Sequence, residues 1–168
     1  MNFFITGLPR SRTAWIANFF STGDVFCWHE AMAGITSKAQ YWGRLSTERY
    51  THVGNSDCTL YMGGLLPNCP LVIIERDVGE VDKALTKIGF AGCLKMLEES
   101  QAALDKMDGL RIPFYEINDR LEEIHQHCVD TPFDSMRAHR LTQQRVELLN
   151  IIPDVESIRL WAQAPGGR

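Results

Sequence analysis

The stretch that most narrows the folds open to this chain is its start, Met1-Asn-Phe-Phe-Ile-Thr-Gly-Leu-Pro-Arg-Ser-Arg-Thr-Ala-Trp-Ile-Ala-Asn-Phe-Phe20. Phe3 to Ile5 is a short apolar run and predicts a buried strand. Thr6-Gly7-Leu8-Pro9 continues neither as strand nor as helix. Arg10, Ser11, Arg12 and Thr13 follow, and then a helical pattern carrying Trp15, Ile16, Phe19 and Phe20. Strand, tight loop with guanidinium and hydroxyl donors, helix start: in that order they make a cradle for a phosphate-like anion. The first helical turn has N–H groups with no acceptor inside the helix, and the dipole places positive charge at that end.

The totals limit what such a cradle serves. At 168 residues the chain suits one domain with a real core, here 1–168, with 151–168 as a tail that frays. A net charge of −4 excludes a general nucleic-acid binder, because no basic excess exists to neutralise many phosphates. Any anion site is therefore local. Five cysteines, Cys27, Cys58, Cys69, Cys93 and Cys128, are odd in number and form no C-x-x-C pair. They read as reduced thiols of a cytoplasmic protein, not as a disulfide framework or a zinc site. No basic n-region and no run of 18 apolar residues occur, so neither a signal peptide nor a membrane span is expected.

Along the chain, Val25 to Glu30 predicts a second strand ending in two ionisable residues, His29 and Glu30. A helix is expected within 36–49, a third strand over His52 to Asp57, and a short helix over Cys58 to Leu66. Leu71 to Ile74 is β-branched and bounded by Pro70 and Glu75-Arg76-Asp77, a strong strand pattern. Val81, Ala84, Leu85 and Ile88 form a helical stripe within Val78 to Ile88, and a second helix is expected over Leu94 to Met107. Leu110 to Ile117 predicts a further strand whose Pro113 suits an edge or a bulge. Asn118 or Asp119 would cap a helix to about Cys128, and Asp134 to Asn150 would form a long helix. Strands alternating with helices predict an α/β, three-layer, P-loop-type fold: a mostly parallel sheet flanked by helices, with its ligand beyond the C-terminal strand ends. Arg10, Glu30 and Arg76 all fall there.

A nucleoside-triphosphatase loop reads G-x-x-x-x-G-K-[ST], its lysine reaching the phosphates and its hydroxyl holding magnesium. Aligned on Gly7, Thr13 takes the lysine position and Ala14 the Ser/Thr position. Both essential groups are missing, so the expected anion is one handled without a metal.

Pro9-Arg10-Ser11-Arg12-Thr13-Ala14-Trp15 resembles the 5′-phosphosulfate loop of the sulfotransferase family, Pro-(Lys/Arg)-Ser-Gly-Thr-(Thr/Ser), with Arg12 at the glycine and Ala14 at the last hydroxyl. Leu71 to Ala84 is similar to the family's second motif, a strand leading to an arginine and, eight residues on, a serine that together hold a 3′-phosphate. Arg76 matches the arginine, and Ala84 stands for the serine. Phe114-Tyr115-Glu116 is similar to the family's Tyr-Glu-Asp-Leu strand end. No counterpart of the family's C-terminal closing loop is present, with Arg137, Arg140 and Arg145 as substitutes. The resemblance implies 3′-phosphoadenosine 5′-phosphosulfate as co-substrate, bound by Pro9, Arg10, Ser11, Arg12, Thr13, Ala14, Trp15 and Arg76, with no metal. It also implies sulfuryl transfer to a hydroxyl or amine of a small-molecule or glycan acceptor. Arg10 would act on the transferred group, and Glu30, or else His29, would be the base.

The alternatives are a nucleotide-kinase-like enzyme on the same fold and a non-catalytic binding protein whose donor site has eroded. Trp28, Tyr41, Trp42 and Tyr50 suit core packing better than an acceptor pocket. His125 and His127, two apart on a helix, do not share a face and make a poor metal pair. Glu98-Glu99 and Glu122-Glu123 read as solvated faces, and Cys27 as packing.

Overall fold

A computed structural model describes residues 2–31, 36–46, 49–59 and 68–143. Five strands, β1 (Asn2–Gly7), β2 (Val25–His29), β3 (His52–Ser56), β4 (Leu71–Glu75) and β5 (Leu110–Pro113), form one sheet in the order β2-β3-β1-β4-β5. Every ladder is parallel, with Phe3 opposite Gly54, Ile5 opposite Val72, His29 opposite Ser56 and Ile74 opposite Ile112. The helices are α1 (Thr13–Phe20), α2 (Lys38–Arg44), α3 (Val78–Thr86), α4 (Leu94–Leu104), α5 (Leu121–Cys128) and α6 (Ser135–Gln143).

The alternation of the strands distributes these helices over two faces. Phe3, Ile5, Cys27, Val72 and Ile74 point to one face and pack with Trp15, Ile16 and Phe20 of α1, Leu121 and Ile124 of α5, and Ala138 and Leu141 of α6. Phe4, Phe26, Val53 and Ile73 point to the other and pack with Tyr41 of α2, Val81 and Leu85 of α3, and Leu97 and Leu104 of α4. The expected α/β sandwich of helices, parallel sheet and helices is present. Strands buried on both faces explain why Leu71 to Ile74 reads as a continuous apolar run.

β5 stops at Pro113, short of the expected Ile117. Proline has no N–H to extend the ladder, and Phe114–Glu116 turns into a 3-10 helix. β5 is an edge strand, as Pro113 suggested. Asn118 does not cap α5: Arg120 takes the N-cap position with no side-chain bond, and Asn118 Oδ1 accepts from Arg12 Nη1 at 2.8 Å. The helix expected over Cys58 to Leu66 falls largely outside the described residues, as do residues 144–168 with Arg145 and the tail. Among the described residues no helix is long and apolar enough to cross a membrane.

Because the sheet is parallel, residues after β1, β2, β3 and β4 meet at one edge. From β1 the chain crosses to the edge strand β2, returns to β3 beside β1, and then passes to β4 on the other side of β1 and on to β5. Strand order therefore reverses at β1, the place where open α/β sheets leave a ligand crevice.

Candidate functional site

The loop after β1 occupies that reversal point. Gly7 is required there, since a Cβ would lie 2.7 Å from the Ile74 carbonyl oxygen on β4. Ser11 N–H donates to the Leu8 carbonyl at 3.2 Å, closing a turn over Leu8-Pro9-Arg10-Ser11. Proline in its second position and a left-handed φ of 69° at Arg10 in its third are the marks of a type II turn. Arg12 then adopts φ 62°, ψ 22° as the N-cap of α1. The left-handed region is what glycine takes freely, so Arg12 keeps the conformation of the glycine it stands for in the sulfotransferase-like pattern. Its side chain turns away from the loop, 4.2 Å over the Trp15 ring and onto Asn118.

No side chain caps α1, and its first turn carries no acidic residue. The helix start thus keeps free N–H groups and an uncompensated positive end. Ser11 and Thr13 are buried there, while Ala14 is partly exposed. Arg76, just past β4, donates through Nη1 to the Arg10 carbonyl oxygen, tying the two strand ends together. Burial first, and then the Arg76 charge, lower the pKa of Arg10. Arg10 Nε and Nη1, Ser11 Oγ, Trp15 Nε1 and Arg76 Nε are buried with no hydrogen-bond partner. Buried donors are nearly always satisfied, so five orphans around one loop mark a place where acceptor oxygens are wanted.

Arg76 has further company. Its guanidinium lies 4.0 Å over the Phe114 ring, and Nε stands 3.7 Å from Glu80, whose other contact is the Tyr115 hydroxyl at 2.5 Å. A cavity of about 340 Å³ opens here, lined by Glu75, Arg76, Asp77, Val78 and Gln101. Phe114-Tyr115 is therefore brought to Arg76. Glu116 is not; it pairs with Arg120 at 3.4 Å. Lys83 and Lys87 stay exposed on α3.

The opposite wall carries the ionisable pair after β2. His29 Nε2 lies 3.4 Å from Thr13 Oγ1 and 3.6 Å from Glu30 Oε1. Burial lowers the His29 pKa, opposed by the charges of Glu30 and then of Asp57. Glu30 has φ 56°, a third left-handed non-glycine residue at the crevice. Its N–H donates to the Ser56 carbonyl at 3.1 Å, and Ala31 N–H donates to Asn55 Oδ1 at 3.0 Å, so the turn is fastened to β3. Glu30 and Asp57 follow β2 and β3, whereas Arg10 and Arg76 follow β1 and β4, where Arg76 stands among Glu75, Asp77 and Glu80.

Asp57 and Ser56 received no role from the sequence. Both are fully buried, and Ser56 Oγ and Asp57 Oδ2 lack partners. The available signal was the polar run Asn55-Ser56-Asp57 closing a strand otherwise fit for a core. Arg137 is not at the crevice. Its guanidinium donates to the Asn18, Phe19 and Ser21 carbonyls at the far end of α1. Trp28, Tyr41 and Tyr50 are core, and Trp42 is partly exposed. Cys27 is buried with a pKa pushed far up by desolvation, which makes it packing and not a nucleophile. Among the described residues no His, Cys, Asp and Glu group suited to a metal ion occurs. No protein-family model, curated protein or solved structure matches the chain.

Proposed function

We propose that this chain is a sulfotransferase-like enzyme of P-loop type that binds 3′-phosphoadenosine 5′-phosphosulfate and transfers its sulfuryl group to a hydroxyl or amine of a small-molecule or glycan acceptor. The observation that carries this reading is the set of buried, partnerless donors on Arg10, Ser11, Trp15 and Arg76 around an uncapped helix start. An anion with several oxygens satisfies them together, and charge-assisted bonds to guanidinium are the strong kind. In this reading Pro9 shapes the turn, Arg10, Ser11, Thr13 and the N–H groups of the 10–15 segment hold the 5′-phosphosulfate, and Arg76 takes the 3′-phosphate. Arg12 supports the loop from outside, its guanidinium over the Trp15 ring. A cytoplasmic setting belongs to the same proposal, in keeping with five free thiols.

The chemistry then divides between the strand ends. His29 or Glu30, 3.6 Å apart, takes the acceptor's proton. The acceptor's freed electron pair forms the bond to sulfur as the sulfur–oxygen bond to the 5′-phosphate breaks. That bond's electron pair stays on the phosphate oxygen, where Arg10 stabilises the developing charge. A kinase-like reading lacks its lysine and its magnesium hydroxyl at Thr13 and Ala14.

Calorimetry separates the possibilities. Tight binding of 3′-phosphoadenosine 5′-phosphate, abolished by Arg10→Ala, is the expected result. Binding of ATP with magnesium in its place supports a kinase, and binding of neither supports an eroded module. Glu30→Gln is expected to spare donor binding, and its turnover separates the two bases: loss assigns the proton to Glu30, retention assigns it to His29.

A further inference from the structure

Asp57 follows β3 directly and sits between the two walls of the crevice. Its N–H donates to the Ile5 carbonyl at 2.9 Å, and its own carbonyl accepts from the Thr6 hydroxyl at 2.8 Å, which ties it to the strand leading into the anion loop. On the other side its neighbour Ser56 is the ladder partner of His29 and receives the Glu30 N–H. The side chain is 1% exposed. Oδ1 accepts from the Thr59 N–H at 2.8 Å and the Thr59 hydroxyl at 2.7 Å, whereas Oδ2 is buried without a partner. A buried carboxylate left half-satisfied is costly unless positive charge faces it at some point in the working cycle. The Asp57 charge reaches His29, Tyr41 and Cys58, and of these only His29 can become a cation.

We propose that Asp57 is a positioning residue for proton transfer at His29, its buried carboxylate balancing the charge that the imidazole gains on taking the acceptor's proton. This rests on the sulfuryl-transfer reading and deepens it by choosing His29 as the proton's destination. The proton leaves the acceptor hydroxyl for a ring nitrogen of His29, the oxygen's electron pair goes to sulfur, and the phosphate oxygen keeps the pair of the broken bond. Asp57 neither gains nor loses a proton. The groups acting on His29 are Glu30 beside it and Asp57 from β3, both favouring the imidazolium, against partial desolvation of a side chain that is 38% exposed and approached by the Thr13 hydroxyl of α1.

The test is an NMR titration of the His29 ring in the full chain. Asp57→Asn keeps the oxygen that Thr59 bonds and removes the charge. The His29 midpoint is expected to move to lower pH, while affinity for 3′-phosphoadenosine 5′-phosphate changes less than about twofold. An unchanged midpoint in a variant that still binds the bisphosphate overturns the role of Asp57. Should Asp57→Asn not fold, the wild type decides: the Asp57 carboxyl carbon must shift across the His29 titration, and that step must vanish in His29→Gln. A flat carboxyl signal overturns the proposal. Failure of the wild type to bind the bisphosphate overturns the donor reading instead.

Discussion

Arg10, Arg12 and Glu30 are the non-glycine residues with positive φ among those described, and all three border one crevice. A left-handed conformation costs a residue with a Cβ about 1–2 kcal/mol, and such strain gathers where function holds it in place. Glu30 tests this, because its side chain is half exposed and little packing is lost with it. Glu30→Gly is expected to raise stability by about 0.5–1 kcal/mol after the entropy cost of glycine, read as a higher urea midpoint. A destabilised variant would contradict the strain argument. The histidines set the acid limit. Burial lowers the pKa of both His29 and His125 below the usual 6.5. The unfolded chain then binds more protons than the folded one, so stability present above about pH 6.5 is lost as the pH falls through and below it. His125 stacks on Phe20 at 5.8 Å, so His125→Phe should keep the packing and flatten the fall in urea midpoint between pH 7.5 and 5.5.

Each secondary element here is set by a few contacts that its own residues do not announce. Gly54 on β3 faces Phe3 on β1, and a Cβ at Gly54 would stand 2.2 Å from that ring. The pair lets a fully buried phenylalanine lie across its neighbouring strand. Gly54→Ala should therefore destabilise by about 1–3 kcal/mol, read as a lower urea midpoint, because an overpacked core must shift strand or ring. The helix α1 has opposite ends for opposite tasks. Its N-terminus is left open at the loop after β1, while its C-terminal carbonyls are satisfied by Arg137 from α6, 119 residues away at Asn18. Reading Arg137 as an anion contact from sequence failed for that reason: an arginine serves a helix C-terminus as readily as a phosphate, and only the packing of α6 on α1 decides.

For the molecule as a whole, the parallel sheet converts five separate strand ends into one site. A ligand that binds only this assembled edge stabilises the folded state by about 2.7 kcal/mol at a hundred times its dissociation constant. For a chain of this size, the bisphosphate should then raise the thermal midpoint by about 5–10 °C, and Arg10→Ala should erase the shift. Local pattern was enough to announce β1, the loop, α1, β4 and the alternation of strand and helix, because apolar runs, proline and glycine act within a few residues. The resemblance to the sulfotransferase motifs, not local pattern, joined Arg10, Ser11, Thr13 and Arg76 as an expected set. Strand order was beyond the reach of local pattern, and with it the placing of Arg10 and Arg76 on adjacent strand ends, β1 and β4, and of Glu30 and Asp57 after β2 and β3. So was the setting of Asp57, tied by its backbone to Ile5 and Thr6 and by Oδ1 to Thr59, with Oδ2 buried and unpaired. Burial and orphaned hydrogen-bonding groups are properties of neighbours distant in the chain, and they exist only once the sheet has closed around them.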